Sequence, residues 1–361
     1  MTVDALIRWF QSWTASGGNI TFLLILSVIL LALPVFLIMA VNALVAVYAE
    51  RKLSAFMQDR VGPMGQGPGF HAGKWGIFQT VADAIKLLLK EDIIPEAADR
   101  KLFILAPYVM FLGAFIALAA VPFNQKLLVA DMNIGIFYIV AVGSLSVLGI
   151  LLAGWASNNK WSLYGAMRSA AQIVSYEIPA ALSIIAVILL TGTLSMQGIV
   201  QSQAGVIWGF LPNWAVFNNP FTFLAFFIYF ISSVAEVNRT PFDIPEAESE
   251  LVAGFHTEYS GLRWAFFFLS EYANMLVVSA VAVVVFLGGW QSPIAGVMTS
   301  AWWGLFWFLG KVTIVILIMI WFRWTFPRLR VDQLMNVCWK VLLPIALLNI
   351  FGTGLWSLFI G

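Results

Sequence analysis

The sequence predicts an all-α polytopic membrane protein with eight transmembrane helices, both termini on the outer side and amphipathic helices in the first cytoplasmic loop. Three observations carry this prediction. Of 361 residues, 61% are hydrophobic and 10% charged, against roughly 25% charged in soluble domains. Apolar runs of about 20 residues, enough for a helix to cross the hydrocarbon core, recur along the chain. Nearly all Lys and Arg residues fall in alternate loops.

Taken in order, Met1–Gly18 contains Asp4 and Arg8 ahead of an apolar stretch too long for a signal-peptide core, so no cleavable signal is expected. Val3, Leu6, Ile7, Phe10 and Trp13 recur at helical spacing and predict an interfacial helix over 1–19. The spans follow at Ile20–Ala49, Leu102–Val121, Ile134–Ala156, Ala170–Leu190, Phe221–Val237, Arg263–Leu287, Trp302–Phe322 and Val337–Ile360, the fifth being the shortest. Apart from Arg8, Lys126 and Lys311, every Lys and Arg lies in the loops after spans one, three, five and seven or, as Arg263 and Lys340, in the first turn of the span that follows. By the positive-inside rule that side is cytoplasmic. The opposite connections, Thr191–Pro220 and Gly288–Ala301, carry almost no charge and suit an interfacial cap. No repeat or low-complexity tract divides the chain, so 1–361 reads as one membrane domain.

The first cytoplasmic loop, 50–101, is too long for a mere connection. Glu50-Arg51-Lys52 opens it, Leu53, Phe56 and Met57 form an apolar stripe, and Arg60-Val61-Gly62-Pro63 ends that helix. A second amphipathic helix is expected over Ile77–Leu89, where Asp83 and Lys86 are spaced to pair. Such helices suit the membrane surface, with snorkelling cations, or the mouth of a pocket for an amphiphile arriving from the lipid.

The acidic cytoplasmic loop, 236–262, breaks the chemistry around it. Glu236, Asp243, Glu246, Glu248, Glu250 and Glu258 lie close together with Arg239 among them. Like charges within a few ångströms disfavour one another's ionisation, so the cluster suits charge handling as well as a solvated loop. Pro241 and Pro245 predict irregular backbone from Thr240 to Pro245. A helix from Glu246 would set Glu246, Glu250 and Glu258 on one face. Within spans stand Glu177 and Glu271, and carboxylates there usually face a wet interior and serve ion or proton paths. Each alone also suits a protonated Glu that tightens helix packing; with Glu236 they make a candidate relay. Lys311, also within a span, reads either as a counter-ion or as a snorkelling cation.

Several chemistries are excluded. A net charge of +1 leaves no basic face for nucleic acid. Cys338, His71 and His256 are too few for a usual zinc, iron–sulfur or bis-His haem site, so this chain is expected to carry no metal centre. No phosphate loop, dinucleotide turn or Ser/His/Asp pattern is present.

Seven motifs go further: Glu50-Arg51-Lys52, Arg60-Val61-Gly62-Pro63, Ala82-Asp83-Ala84-Ile85-Lys86, Ser157-Asn158-Asn159-Lys160-Trp161-Ser162-Leu163, Ser175-Tyr176-Glu177, Ala235-Glu236 through Glu250-Leu251 and on to His256-Thr257-Glu258-Tyr259, and Pro327-Arg328-Leu329-Arg330-Val331-Asp332-Gln333. Together, and over nearly the whole chain, they resemble a family of membrane subunits of bacterial NADH:quinone oxidoreductase, respiratory complex I, the counterparts of mitochondrial NADH dehydrogenase subunit 1. The resemblance implies a subunit docked under the quinone-site and terminal iron–sulfur subunits of the peripheral arm, beside small membrane subunits and antiporter-like subunits. It also implies a tunnel admitting ubiquinone or menaquinone from the lipid, bordered by Glu50, Arg51, Asp83 and Arg239. Glu177, Glu236, Glu258 and Glu271 would belong to a charged path, and Asp243, Glu246, Glu248 and Glu250 to an acidic coupling loop. The chain departs from the family at Met64-Gly65, where Asn-Arg is usual, and in the enlarged Gly-rich stretch 66–73, after which Lys74 offers a replacement charge. Two other readings stay open on residues alone: the equivalent subunit of a membrane-bound hydrogenase, and a free-standing proton or cation carrier.

Overall fold

The structure, a computed structural model, describes residues 20–64, 75–207, 211–245, 248–294, 298 and 300–359. The helix expected over 1–19, the stretch 66–73 with His71, Lys74 and Glu246 lie outside the described residues. Among the described residues, seven helices are long and apolar enough to cross a membrane. The remaining expected span, the fifth, is the 17-residue helix Pro220–Glu236. At 1.5 Å per residue it reaches about 25 Å, short of a ~30 Å hydrocarbon core.

Helix α1 (Ile20–Met57) runs past Ala49 without a break. No Gly or Pro stands between Glu50 and Met57, and the helix closes only where Asp59 turns to a φ of +50° and Arg60 N donates back to Ala55 O at 2.9 Å. The stripe of Leu53, Phe56 and Met57 is therefore the end of the first span, and Glu50 is carried into the bundle at 8% exposure. Helix α2 (Gln79–Leu89) is the amphipathic helix of the long loop, with Ile85, Leu88 and Leu89 exposed.

Helix α3 (Arg100–Ala119) is capped by Asp99, which accepts from Lys101 N and Leu102 N. The third expected span is two helices, α4 (Gly135–Gly143) and α5 (Leu145–Ala156), meeting at Ser144. Helix α6 (Lys160–Thr191) begins well before Ala170 because Asn159 caps it, accepting from Trp161 N at 2.9 Å. It stops at Gly192, whose φ of +67° is left-handed. The far-end connection holds α7 (Met196–Ser202), the hairpin β1 (Val206–Ile207) and β2 (Leu211–Pro212), and α8 (Ala215–Asn218).

Helix α9 (Pro220–Glu236) starts with Pro in the first turn and Asn219 as cap. Then come α10 (Glu248–Leu251), a 3-10 turn at Gly254–His256, α11 (Gly261–Phe286), α12 (Ala301–Thr325), α13 (Val331–Asn336), a π turn at Val337–Leu342 and α14 (Leu343–Phe359). The π turn precedes Pro344, whose ring would clash with the carbonyl of a regular preceding turn.

Helix α11 is the centre of the bundle: 78% of its apolar window is buried, against 17% for α1. Helices α3, α5 and α6 approach nearly to backbone contact. A Cβ on Gly149 would lie 2.6 Å from Met110 N, and one on Gly154 would lie 2.3 Å from Ala166 Cβ. The charge-rich connections meet at one end. There Asp99 N donates to Ala156 O at 3.0 Å, Leu329 N to Pro241 O at 3.0 Å, and Arg263 pairs with Asp92 at 3.2 Å.

Candidate functional site

A buried ionic cluster joins four elements at that end. Glu50, on α1, accepts from Arg239 Nη1 at 3.1 Å and from the Tyr272 hydroxyl of α11 at 2.6 Å, while its other oxygen accepts from Arg323 of α12. The Arg239 guanidinium lies 4.5 Å from the centre of the Tyr272 ring and is 5% exposed. Burial works against its charge, but Tyr272, Glu50 and Glu271 more than offset this and hold Arg239 above even the usual arginine range. Glu271 thus joins the cluster through its field. Asp243, also buried, receives Arg328 Nη2 at 3.1 Å.

A second network clamps the acidic loop to α6. Gln172 Nε2, buried, lies within donating distance of Ala235 O (2.8 Å), Phe242 O (2.7 Å) and Asn238 Oδ1 (3.1 Å). Asn238 Nδ2 in turn donates to Ser169 Oγ at 3.0 Å, and Asn238 itself holds a φ of +52°, a conformation Asn tolerates. As expected, Thr240 to Pro245 form no helix; the Thr240–Pro241 peptide is cis.

Glu177 and Glu236 face one cavity. Glu236 is the last residue of α9, and the cavity it shares with Glu177 is also lined by Gly143, Ala180, Tyr229 and Asn274. Its volume is about 50 Å³. A water needs about 10–15 Å³ on this measure, so there is room for several between the carboxylates.

Of the three carboxylates expected on one face, Glu250 and Glu258, the two described, do not share it. Helix α10 stops at Leu251 because Val252 turns to a φ of +64°, and Gly254 turns again at +61°. Gly254 packs on Gly165, where a Cβ would come within 2.7 Å of it. The carboxylates therefore part. Glu250 pairs with Arg168 at 2.7 Å, whereas Glu258 accepts from Asn159 Nδ2 at 2.6 Å and is not among the residues lining the Glu177–Glu236 cavity. Beside it, burial raises the Tyr259 phenol above its ordinary range, and its ring stacks on Phe103 at 4.0 Å. Glu248 is the first residue of α10.

A family profile described as NADH dehydrogenase matches residues 28–354. The chain is 52% identical to the H subunit of NADH-quinone oxidoreductase from Chlorobaculum tepidum, over 94% of this chain and 95% of that protein. It is likewise 52% identical to the protein of that name from Geobacillus sp. strain WCH70, over 91% and 94%. The chain belongs to the NADH dehydrogenase family. Like those relatives, it is a subunit of an oxidoreductase complex.

Within this family member the four residues expected at a tunnel form two ion pairs side by side on α1: Glu50 with Arg239, and Arg51 with Asp83 at 2.5 Å. Asp83 also has Lys86 at 3.9 Å, the pairing their spacing allowed. Among the described residues no group of three His, Cys, Asp or Glu side chains is placed to hold a metal ion. Tyr272, Arg323, Gln172 and Asn238 escaped the sequence reading. Arg328 was visible only inside the Pro327–Gln333 motif, and Gln172 only as an amide in a mostly apolar span.

Because Gln172 holds Phe242 O and Asn238 Oδ1 of the loop, Gln172→Leu takes the donor from these buried acceptors, at about 1–3 kcal/mol each. The 237–247 segment of that variant is expected to become protease-sensitive while the spans stay intact. Limited proteolysis of membranes, read by mass spectrometry, checks this; a parental cleavage pattern would refute the clamp.

Proposed function

We propose that this chain is the quinone-tunnel and coupling subunit of a proton-pumping NADH:quinone oxidoreductase. On this reading it forms the membrane entry of the quinone site and the start of the carboxylate path that links quinone reduction to proton translocation. The observation that carries the reading is the shared Glu177–Glu236 cavity, tied by the Gln172 clamp to the loop that delivers Arg239 to Glu50. Carboxylates in a wet pocket of a membrane bundle suit proton relay. Glu50, Arg51, Asp83 and Arg239 border the tunnel for ubiquinone or menaquinone, and Asp243, Glu246, Glu248 and Glu250 form the loop that responds to quinone reduction. Glu271, whose field reaches Arg239, and Glu258 belong to the same path.

The quinone-site and terminal iron–sulfur subunits dock on the charge-rich end. The membrane subunits pack along the spans, and the whole lies in the bacterial inner membrane with the charge-rich end cytoplasmic. Reduction of quinone changes charge near Arg239. The acidic loop moves or changes protonation in answer, and Glu236 with Glu177 passes the change on. Such coupling needs an element that both sites bias, and the loop between Glu236 and Glu250 is that element.

Glu236→Gln and Glu248→Gln are each expected to lower NADH-to-quinone turnover at least about tenfold, the low end for losing a proton-transfer group. Complex content should stay parental. Full turnover in both variants, with content confirmed by native gel, would sink the proposal.

A further inference from the structure

Lys311 is a buried charge that the path proposed above does not use. It lies near the middle of α12 at 9% exposure, too enclosed for its head to reach water. Its Nζ donates to Leu287 O at 2.6 Å, Gln291 O at 2.8 Å and Gly289 O at 3.0 Å, and sits 4.0 Å from the centre of the Trp214 ring. An ammonium has three N–H donors and no acceptor. Three converging carbonyls match it donor for acceptor, whereas a neutral amine would turn its lone pair on one of them. Among the described residues no carboxylate forms an ion pair with Lys311, so it is not the counter-ion of the carboxylate path.

The surroundings are shaped for a cation. The carbonyls belong to the turn that ends α11, where a helix leaves acceptors unmatched and concentrates negative potential. Gly288 and Gly289 make the turn with φ of +69° and +52°. A Cβ on the first would lie 2.4 Å from Trp214 Cδ1, and on the second 2.6 Å from Val200 Cγ2. Gln203 takes the neighbouring groups, with Nε2 toward Val284 O (3.0 Å) and Val285 O (3.1 Å) and Oε1 accepting from Gly288 N (3.0 Å). The carbonyls of Leu287, Gly289 and Gln291 are left to Lys311, with the Trp214 face closing the cage.

We infer that Lys311 is a tethered ligand in a carbonyl-caged cation site that locks the far end of α11, a site whose chemistry takes a compact primary ammonium, and that it lies outside the charge path. The inference does not depend on the function proposed above. It gives α11 a pinned end beyond Glu271 and Tyr272, which stand near the helix's middle.

The test uses the whole complex in membranes. K311A is expected to inactivate on heating about tenfold faster than the parent, as for loss of a charge-assisted hydrogen bond in a buried site. Methylammonium chloride, compared with choline chloride at equal ionic strength, should restore most of the lifetime, because only the primary ammonium presents three donors. K311M fills the space without the charge and should stay labile with either salt. If K311A yields too little complex to heat, complex content in cells grown with methylammonium is read instead, and recovery there supports the site equally. Absence of rescue in the readout used overturns the cation site, and so does a K311M complex with parental lifetime. A rescued K311A complex that oxidises NADH but translocates fewer protons per quinone reduced overturns the placement of Lys311 outside the path.

Discussion

Glu50→Gln is expected to abolish accumulation of the assembled complex. Glu50 is 8% exposed and gathers Arg239, Arg323 and the Tyr272 hydroxyl on its two oxygens. A neutral amide there leaves two guanidinium groups facing one another around a group that no longer balances them. Arg239 has no escape to solvent at 5% exposure, whereas the Arg323 side chain, 33% exposed, can turn outward. Removing one partner of a buried pair costs about 3–5 kcal/mol, chiefly because the other charge stays buried. That is a large share of the roughly 5–15 kcal/mol by which folded domains are stable. The pair Glu50→Gln with Arg239→Gln removes both charges and is expected to recover part of the complex while leaving quinone turnover low. Native-gel content and NADH-to-quinone turnover, measured on the same membranes, separate the two effects. A Glu50→Gln complex present at parental level would show that Glu50 does not balance Arg239.

Composition and run length alone were enough to read the membrane class and the positions of the spans, because transfer to lipid is what hydropathy measures. Helix ends were less legible for the same reason. Hydropathy falls at Glu50 and rises at Ala170, yet α1 continues to Met57 and α6 begins at Lys160. The backbone obeys the left-handed turn at Asp59, ahead of Gly62-Pro63, and the Asn159 cap rather than the hydrocarbon boundary. The carboxylates could be found by crowding and depth. Their partners could not, since Gln172 and Arg323 are unremarkable in their own segments and gain their roles only when α6 and α12 meet the acidic loop and Glu50. The shared face imagined for Glu250 and Glu258 failed on a single backbone turn at Val252, a residue whose β-branched side chain gives no hint of a positive φ.

Gly143→Val is expected to slow quinone-coupled proton translocation about tenfold or more while leaving every carboxylate in place. Gly143 ends α4 at the break before Ser144, and a Cβ built there meets only Glu236 Oε1, at 4.0 Å. The added methyl groups would therefore enter the Glu177–Glu236 cavity instead of a packed helix face. That cavity measures about 50 Å³, where a water needs about 10–15 Å³. Three added carbons displace the waters that would bridge the two carboxylates. If the pair relays protons through water, proton-transfer assistance worth about 10²–10⁴ in rate is at stake. If the pair passes only an electrostatic signal, drying the cavity lowers the local dielectric and strengthens the interaction, so turnover would hold or rise. Gly143→Ala, with one added methyl, should fall between parent and Gly143→Val in the first case. Proton translocation and quinone reduction measured together on sealed vesicles, with complex content matched, decide between these two mechanisms for the same pair of residues.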